Sequence, residues 1–250
     1  MTRFRLLVEY HGAPYSGWQF QPDRPSVQGV LQGALASVGE PDVVVYGAGR
    51  TDAGVHALAQ VAHVDVAKAW TGFDLANAVN SGLKGERVAV LAAEPVPAEW
   101  HARFSATARA YVYRIVSRRA SLTLEHGLAW NVKVPLSLDA MNEAAGRLTG
   151  LHDFTTFRST ECQSASPVKT LDVLRVRETD GAIVVEAEAR SFLHNQVRSL
   201  VGALEWVGRG KWTPDDVSGA LEARDRRACA PVAPAHGLYL ARVDYPTPGP

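Results

Sequence analysis

Residues 43–66 read VVVYGAGRTDAGVHALAQVAHVDV: two valine-rich runs around a glycine-bracketed core, GAGRTDAGVH. β-Branched residues fill both runs, so DVVVYG (42–47) and AQVAHVDV (59–66) are expected to be strands. The core between them is then a loop joining two strands. It carries Arg50 and Asp52 two residues apart, on one side of the chain if the segment is extended. Loops held by strands are where catalytic groups often sit. A plainer account also exists, because an Asp in a glycine-rich turn can simply satisfy local amides. The sixth position of GAGRTD is Asp52 rather than glycine, and no helix-forming run follows, so a dinucleotide loop is excluded. There is no Gly-Lys-Ser/Thr, so a P-loop is excluded too. His56 and His63 lack the i, i+4 spacing of a helical zinc pair.

On the N-terminal side, RFRLLVEY (3–10) is expected to be a strand and HGAPYSGWQFQPDRPS (11–26) a loop, from its Gly and Pro content. A helix should follow with Ser26 as N-cap and Val27, Val30, Leu31, Ala34, Leu35 and Val38 on one face. Beyond the core, Asp74 is placed to cap a short helix through Val79, RVAVLAAEPV (87–96) is a strand, and EPVPAEW (94–100) a crossover. The second half has the same style. TARAYVYRIVS (107–117) and GLAWNV (127–132) read as strands, and SLDAMNEAAGRLTG (137–150) as a helix stopped by Gly150. KTLDVLRVRETDGAIVVEAEAR (169–190) reads as a hairpin turning at Asp180-Gly181. FLHNQVRSLVGALEWVGRG (192–210) is expected to be a helix with Leu193, Val197, Leu200, Val201 and Leu204 toward the core. TPDDVSGALEAR begins with Thr213 as N-cap, Pro214 at the first helical position and two Asp in the first turn. GLYLARVDY (237–245) closes the chain as a strand, before PTPGP (246–250) as a frayed tail.

This is an α+β pattern in two halves, 1–103 and 104–250, without sequence repeat or low-complexity tract. The 250 residues are enough for such a pair. Hydrophobic content of 46% and charge of 21% fit a globular protein. Lys plus Arg equals Asp plus Glu at 26 each, so a nucleic-acid surface would have to be a local cluster. Cys162 and Cys229 form no CxxC, which points to a reducing compartment with neither disulfide framework nor zinc ribbon. The apolar run in MTRFRLLVEYHG is too short for a signal peptide, and no stretch reaches the ~20 apolar residues of a membrane span. A cytoplasmic protein is expected.

A local basic cluster does occur. HARFSATARAYVYRIVSRR (101–119) holds Arg103, Arg109, Arg114, Arg118 and Arg119 and no acidic residue. On a strand, Arg109, Tyr111, Tyr113 and Ile115 share one face. Arginine for phosphate and a tyrosine ring for an unstacked base suit RNA, although a half-buried strand with solvated arginines has the same pattern. In SFLHNQVRSLVG, Ser191, His194, Asn195 and Arg198 fall on one helix side, away from the Leu/Val face. No GxSxG, Cys/His pair or paired carboxylates support hydrolase, cysteine-enzyme or glycosidase chemistry. From the residues alone the protein is an α+β chain compatible with RNA binding, and Asp52 stands out.

GAGRTDAGVHA closely resembles the signature of the tRNA pseudouridine synthase A (TruA) family. EYHGAPYSGWQFQ, SVQGVLQGAL, WHARFSATARAYVYR, GLHDFTTFRS, SFLHNQVRSLVG and APAHGLYLARVDY resemble further family blocks in the expected order, over nearly the whole chain. The resemblance implies two RRM- or ferredoxin-like α+β domains, with mostly antiparallel sheets joined around a central active-site cleft. It implies isomerisation of uridine to pseudouridine at positions 38, 39 and 40 of the tRNA anticodon stem-loop, by a homodimer needing no metal and no organic cofactor. Asp52 matches the catalytic aspartate, Arg50 the arginine that holds the place of the extruded nucleotide, Tyr111 the tyrosine that stacks on uracil, and Arg198 the arginine that pairs with the aspartate. Thr51, Arg109 and His56 are the further expected substrate-binding residues. His11, Lys84 and Gln196 depart from the commoner family residues, at none of the catalytic positions. Two other functions share these features: a non-catalytic tRNA-binding module, and a carboxylate enzyme acting on small molecules. Intact Asp52, Tyr111 and Arg198 disfavour the first, and the arginine cluster disfavours the second.

Overall fold

The computed structural model describes residues 1–246; residues 247–250 of the expected tail lie outside the described residues. The chain forms two compact units, Met1–Thr107 with the segment from Tyr239 onward, and Ala108–Leu238. From sequence, the division falls between 103 and 104, with all of 104–250 in the second half.

The first unit begins with β1 (Thr2–Tyr10), α1 (Val27–Ser37), β2 (Tyr46–Gly47), β3 (His56–Val66), α2 (Gly72–Gly82) and β4 (Val88–Pro95). β1 alternates as a one-sided strand should. Phe4, Leu6, Val8 and Tyr10 are buried on one face, and on the other Arg3 pairs with Asp65 at 2.8 Å and Arg5 with Glu94 at 2.6 Å. Its antiparallel neighbours are β3 and β4, and β2 pairs with β3. The resulting order β4-β1-β3-β2, with helices after the first and third of these strands, is the ferredoxin-like βαββαβ arrangement. Ser26 caps α1 as expected, accepting from Gly29 N–H, and Leu31 and Leu35 are fully buried; Val30 and Val38 are only partly covered.

Two expectations in this unit change. The strand foreseen over 42–47 shrinks to Tyr46–Gly47. Two α1 side chains take over the backbone of Val45: Gln32 Oε1 accepts its N–H at 3.2 Å, and Gln28 Nε2 donates to its carbonyl at 3.0 Å. The cap of α2 is Thr71, not Asp74, and the helix runs on to Gly82. Asp74 sits three residues inside, donating its N–H to Thr71 Oγ1 and accepting from the same hydroxyl.

The second unit contains β5 (Ala108–Ser117), β6 (Trp130–Val132), α3 (Leu138–Leu148), β7 (Gly150–Asp153), β8 (Val168–Leu171), β9 (Val173–Thr179), β10 (Ala182–Ala189), α4 (Gln196–Gly208) and α5 (Pro214–Ala223). Antiparallel β5-β10-β9 is its main sheet, β6 adds in parallel to β5, and β7 with β8 forms a separate pair. Asp180 and Gly181 turn the β9–β10 hairpin with positive φ at both positions, the primed turn their residue types favour. The 169–171 stretch leaves that hairpin to pair with β7. Met141, Leu148, Leu200, Leu204 and Val217 bury the helices, and Thr213 with Asp216 completes a capping box on α5.

The expected helix over 192–210 starts only at Gln196, because Asn195 has φ 62 and breaks the helical path. Ser191, His194 and Asn195 therefore precede the helix that carries Arg198. Finally β11 (Leu238–Asp244) pairs in parallel with β3 through Tyr239–His56 and Leu240–Ala57. Among the described residues no helix is long and apolar enough to cross a membrane.

Candidate active site

The loop between β2 and β3 holds Arg50, Thr51 and Asp52 in one turn. Arg50 is exposed, Thr51 buried and Asp52 half-buried. The turn closes with Val55 N–H donating to Asp52 O at 3.1 Å. Beneath it lies a buried polar network. Tyr10 OH and Thr51 Oγ1 are 2.7 Å apart, and Gln60 Nε2 donates to Gly49 O at 2.9 Å and weakly to Tyr10 OH at 3.4 Å. Burial pushes the Tyr10 hydroxyl up to about 12, so it stays protonated and able to donate. Both flanks of Arg50 are thus tied to strand side chains, while Arg50 itself faces outward.

Two glycines of the 11–26 loop press on this turn. A Cβ on Gly12 would fall 2.0 Å from Val55 O, and one on Gly17 would fall 2.6 Å from Thr51 O. Gly17 also has φ +95, which side chains other than glycine rarely adopt. Trp18 N–H then donates to Thr51 O at 3.0 Å. Sequence reasoning missed Gly12, Gly17, Tyr10 and Gln60 as supports of the turn. The available signal was weak: two glycines in a loop mark flexibility as readily as close packing.

His56 is 1% exposed. Its Nδ1 accepts Gly12 N–H at 3.0 Å, Tyr239 stacks on it at 4.7 Å, and His11 meets it edge-on at 4.5 Å. Its neighbours on these sides are parts of the first unit, and its contacts hold the 11–12 backbone against the start of β3. The unusual His11 packs there as well.

In the second unit, Arg109, Tyr111 and Tyr113 share one face of β5, as expected. Arg109 is 8% exposed, and its guanidinium donates to Arg190 O at 2.7 Å. Arg114 pairs with Glu125 at 2.6 Å, and Arg118 donates to Ala120 O and Ser121 O. Much of the cluster read from sequence is therefore engaged locally. Tyr111 is half-buried and meets Phe192 edge-to-face at 5.2 Å and 89°. That contact holds one ring edge and steadies an aromatic plane. Tyr113 is fully buried; burial raises its hydroxyl strongly, and it donates to Pro234 O at 2.8 Å.

Arg198, in the first turn of α4, is half-buried. Its Nε donates to Ala233 O and one terminal nitrogen donates to Asn195 Oδ1, both at 2.8 Å. Gln196, the third unusual residue, is 1% exposed, and its Oε1 accepts Leu193 N–H just ahead of the helix. Lys84 is exposed. Among the described residues no three or more His, Cys, Asp or Glu side chains gather where they could hold a metal ion.

The family model described as tRNA pseudouridine synthase matches residues 6–105 and 144–246. A tRNA pseudouridine synthase A of Rhodopseudomonas palustris (strain HaA2) is 58% identical over 246 residues, 98% of this chain and all of that protein. Proteins of the same name from Ruegeria sp. (strain TM1040) and Rhizobium meliloti (strain 1021) are each 56% identical. These alignments cover 99% and 98% of this chain, and 97% and 100% of the relatives. One model spanning the Asp52 turn and the Arg198 helix, and relatives sharing over half of all residues end to end, leave one placement: the chain belongs to the tRNA pseudouridine synthase family.

Proposed function

We propose that this protein isomerises uridine to pseudouridine at positions 38, 39 and 40 of the tRNA anticodon stem-loop, as a cytoplasmic homodimer. The observation that carries this reading is the Asp52 turn. A half-buried carboxylate stands beside an exposed arginine, on a loop tied down at Gly49 and Thr51 and pressed by Gly12 and Gly17. So much support around a short loop fits a group that must be held still while a substrate comes to it.

In the proposed mechanism the target uridine leaves the stack, at a cost of a few kcal/mol. Arg50 enters the place the base has left. The ribose C1′–N1 bond breaks, the uracil turns, and C1′ joins C5. N1 then gains a proton and C5 loses one, so the reaction is balanced with no net redox change and no water consumed. Asp52, as the carboxylate, acts at the sugar or the base. Tyr111 offers a ring face for the detached uracil and a hydroxyl for the C5 proton. Arg198 pairs with Asp52 and holds its charge in the site. Thr51 positions the turn, and Arg109 and His56 shape the surfaces near the substrate. In functional terms residues 1–103 supply the aspartate and residues 104–250 the tyrosine and arginine.

Site-resolved mapping of pseudouridine on unmodified tRNA transcripts tests this. Wild type is expected to modify positions 38 to 40, and Asp52→Ala to bind the same transcripts without modifying them. Modification elsewhere would keep the chemistry and overturn the substrate. Tight binding without modification by either protein would favour a binding module.

A further inference from the structure

We propose that Asn195 is a positioning residue that sets the plane of the Arg198 guanidinium. This deepens the role given above to Arg198 and rests on it. An Asn at a helix start ordinarily turns its side-chain oxygen to an N–H of the first turn. Asn195 makes no such capping bond. Its Oδ1 instead accepts from a terminal nitrogen of Arg198, three residues on, at 2.8 Å. The backbone makes this possible. With φ 62 and ψ 8, Asn195 is left-handed, a conformation that Asn tolerates better than most side chains. Helix formation alone would be served by an ordinary cap, so the strained backbone and the diverted oxygen point to the guanidinium.

The second anchor is equally specific. Arg198 Nε donates to Ala233 O at 2.8 Å, while Ala233 N–H donates back to Arg198 O at 3.0 Å. The strap carrying Ala233 is held on both sides. Pro231 O lies so close to Gly202 that a Cβ there would be 1.9 Å away, and Tyr113 OH donates to Pro234 O. A planar guanidinium bonded through Nε and through one terminal nitrogen to two fixed acceptors has lost its rotation about the side-chain axis. Asn195 supplies the acceptor that the strap does not.

Three substitutions separate backbone from side chain. Asn195→Gly keeps the left-handed backbone and removes the acceptor, Asn195→Asp keeps both, and Asn195→Ala loses both. Under single-turnover conditions on a tRNA transcript, Asn195→Gly is expected to slow modification at least about tenfold, with tRNA affinity and melting temperature near wild type. Asn195→Asp should recover the rate to within about threefold. A wild-type rate in Asn195→Gly would overturn the proposal. So would an Asp variant as slow as the Gly variant, or a Gly variant whose affinity or melting temperature falls in step with its rate. The N–H signal of the Arg198 terminal nitrogen that donates to Asn195, read in nitrogen-proton NMR and assigned by its loss in Arg198→Lys, gives a readout independent of activity. It should exchange slowly in wild type and Asn195→Asp and fast in Asn195→Gly; equal exchange in all three would sink the proposal. An Arg198→Lys enzyme at full rate, or a wild type without activity, would instead remove the function given to Arg198 and leave the NMR result to decide the positioning.

Discussion

The Tyr10 hydroxyl helps tie the Asp52 turn to the sheet. Tyr10 is buried and its OH is bound to Thr51 Oγ1. Tyr10→Phe leaves the buried Thr51 hydroxyl short of its partner, at a cost of about 1–2 kcal/mol. Urea unfolding should show that loss, and single-turnover rates should fall as the Arg50–Asp52 turn loosens. Unchanged stability and rate would mean that the network does not hold the turn. Arg109 makes the opposite case at the same scale. Its type and position on β5 suggest phosphate contact, yet its guanidinium donates to Arg190 O from a buried position. Arg109→Ala is expected to lower the melting temperature more than it weakens tRNA binding. The reverse pattern, measured by melting and filter binding, would return Arg109 to the RNA.

The loop over residues 11–26 acts as a brace for the Asp52 turn, and glycine is what lets it come close. Gly17→Ala must face both φ +95 and a carbonyl oxygen 2.6 Å from the new Cβ. Displacement of the turn by even a fraction of an ångström should cost about tenfold or more in turnover. A crystal structure of the variant with an unmoved turn, together with full activity, would refute the brace. By contrast, the capping box of α5 does nothing visible for the site. Thr213→Ala should cost about 1 kcal/mol of stability and leave the modification rate unchanged. Together the two substitutions separate an element that supports chemistry from one that supports only the fold.

His63 and His101 are among the groups that make the stability of the first unit depend on pH. His63 is pushed down to about 4, by burial first and then by His101 and Arg3, with Asp65 opposing. His101 is lowered by burial, Arg3 and Arg103. Each Nδ1 accepts a backbone N–H, His63 from Ala102 at 3.2 Å and His101 from Arg103 at 3.0 Å, which needs an unprotonated nitrogen. The rings ordinarily titrate near 6.5, so between that value and about 4 the unfolded chain binds more protons than the folded one. This contribution to stability is full above pH 6.5 and is lost as pH falls toward 4. Urea midpoints are expected to drop across that window, and to drop less steeply in His63→Gln. Parallel profiles for the two proteins would mean that His63 is not the sensor.

Much of the local structure was legible in the residues. The alternation in β1, the Ser26 and Thr213 caps and the Asp180-Gly181 turn are decided within a few neighbouring positions, where side-chain period and backbone preference act directly. Asp52 stands out from the composition of its own turn, whereas the roles expected of Tyr111 and Arg198 come through the resemblance of their motifs. The tertiary structure alone decided what depends on partners far along the chain. Val45 leaves its strand because glutamines of α1 take its backbone groups. The expected start of α4 moves to Gln196, behind a left-handed Asn195, and Arg198 in its first turn is held by Ala233 far along the chain. Gly12 and Gly17 became supports only when the backbone of the Asp52 turn came to lie against them. Helix caps and strand periods are short-range preferences, whereas close approach and hydrogen-bond competition exist only once distant segments meet.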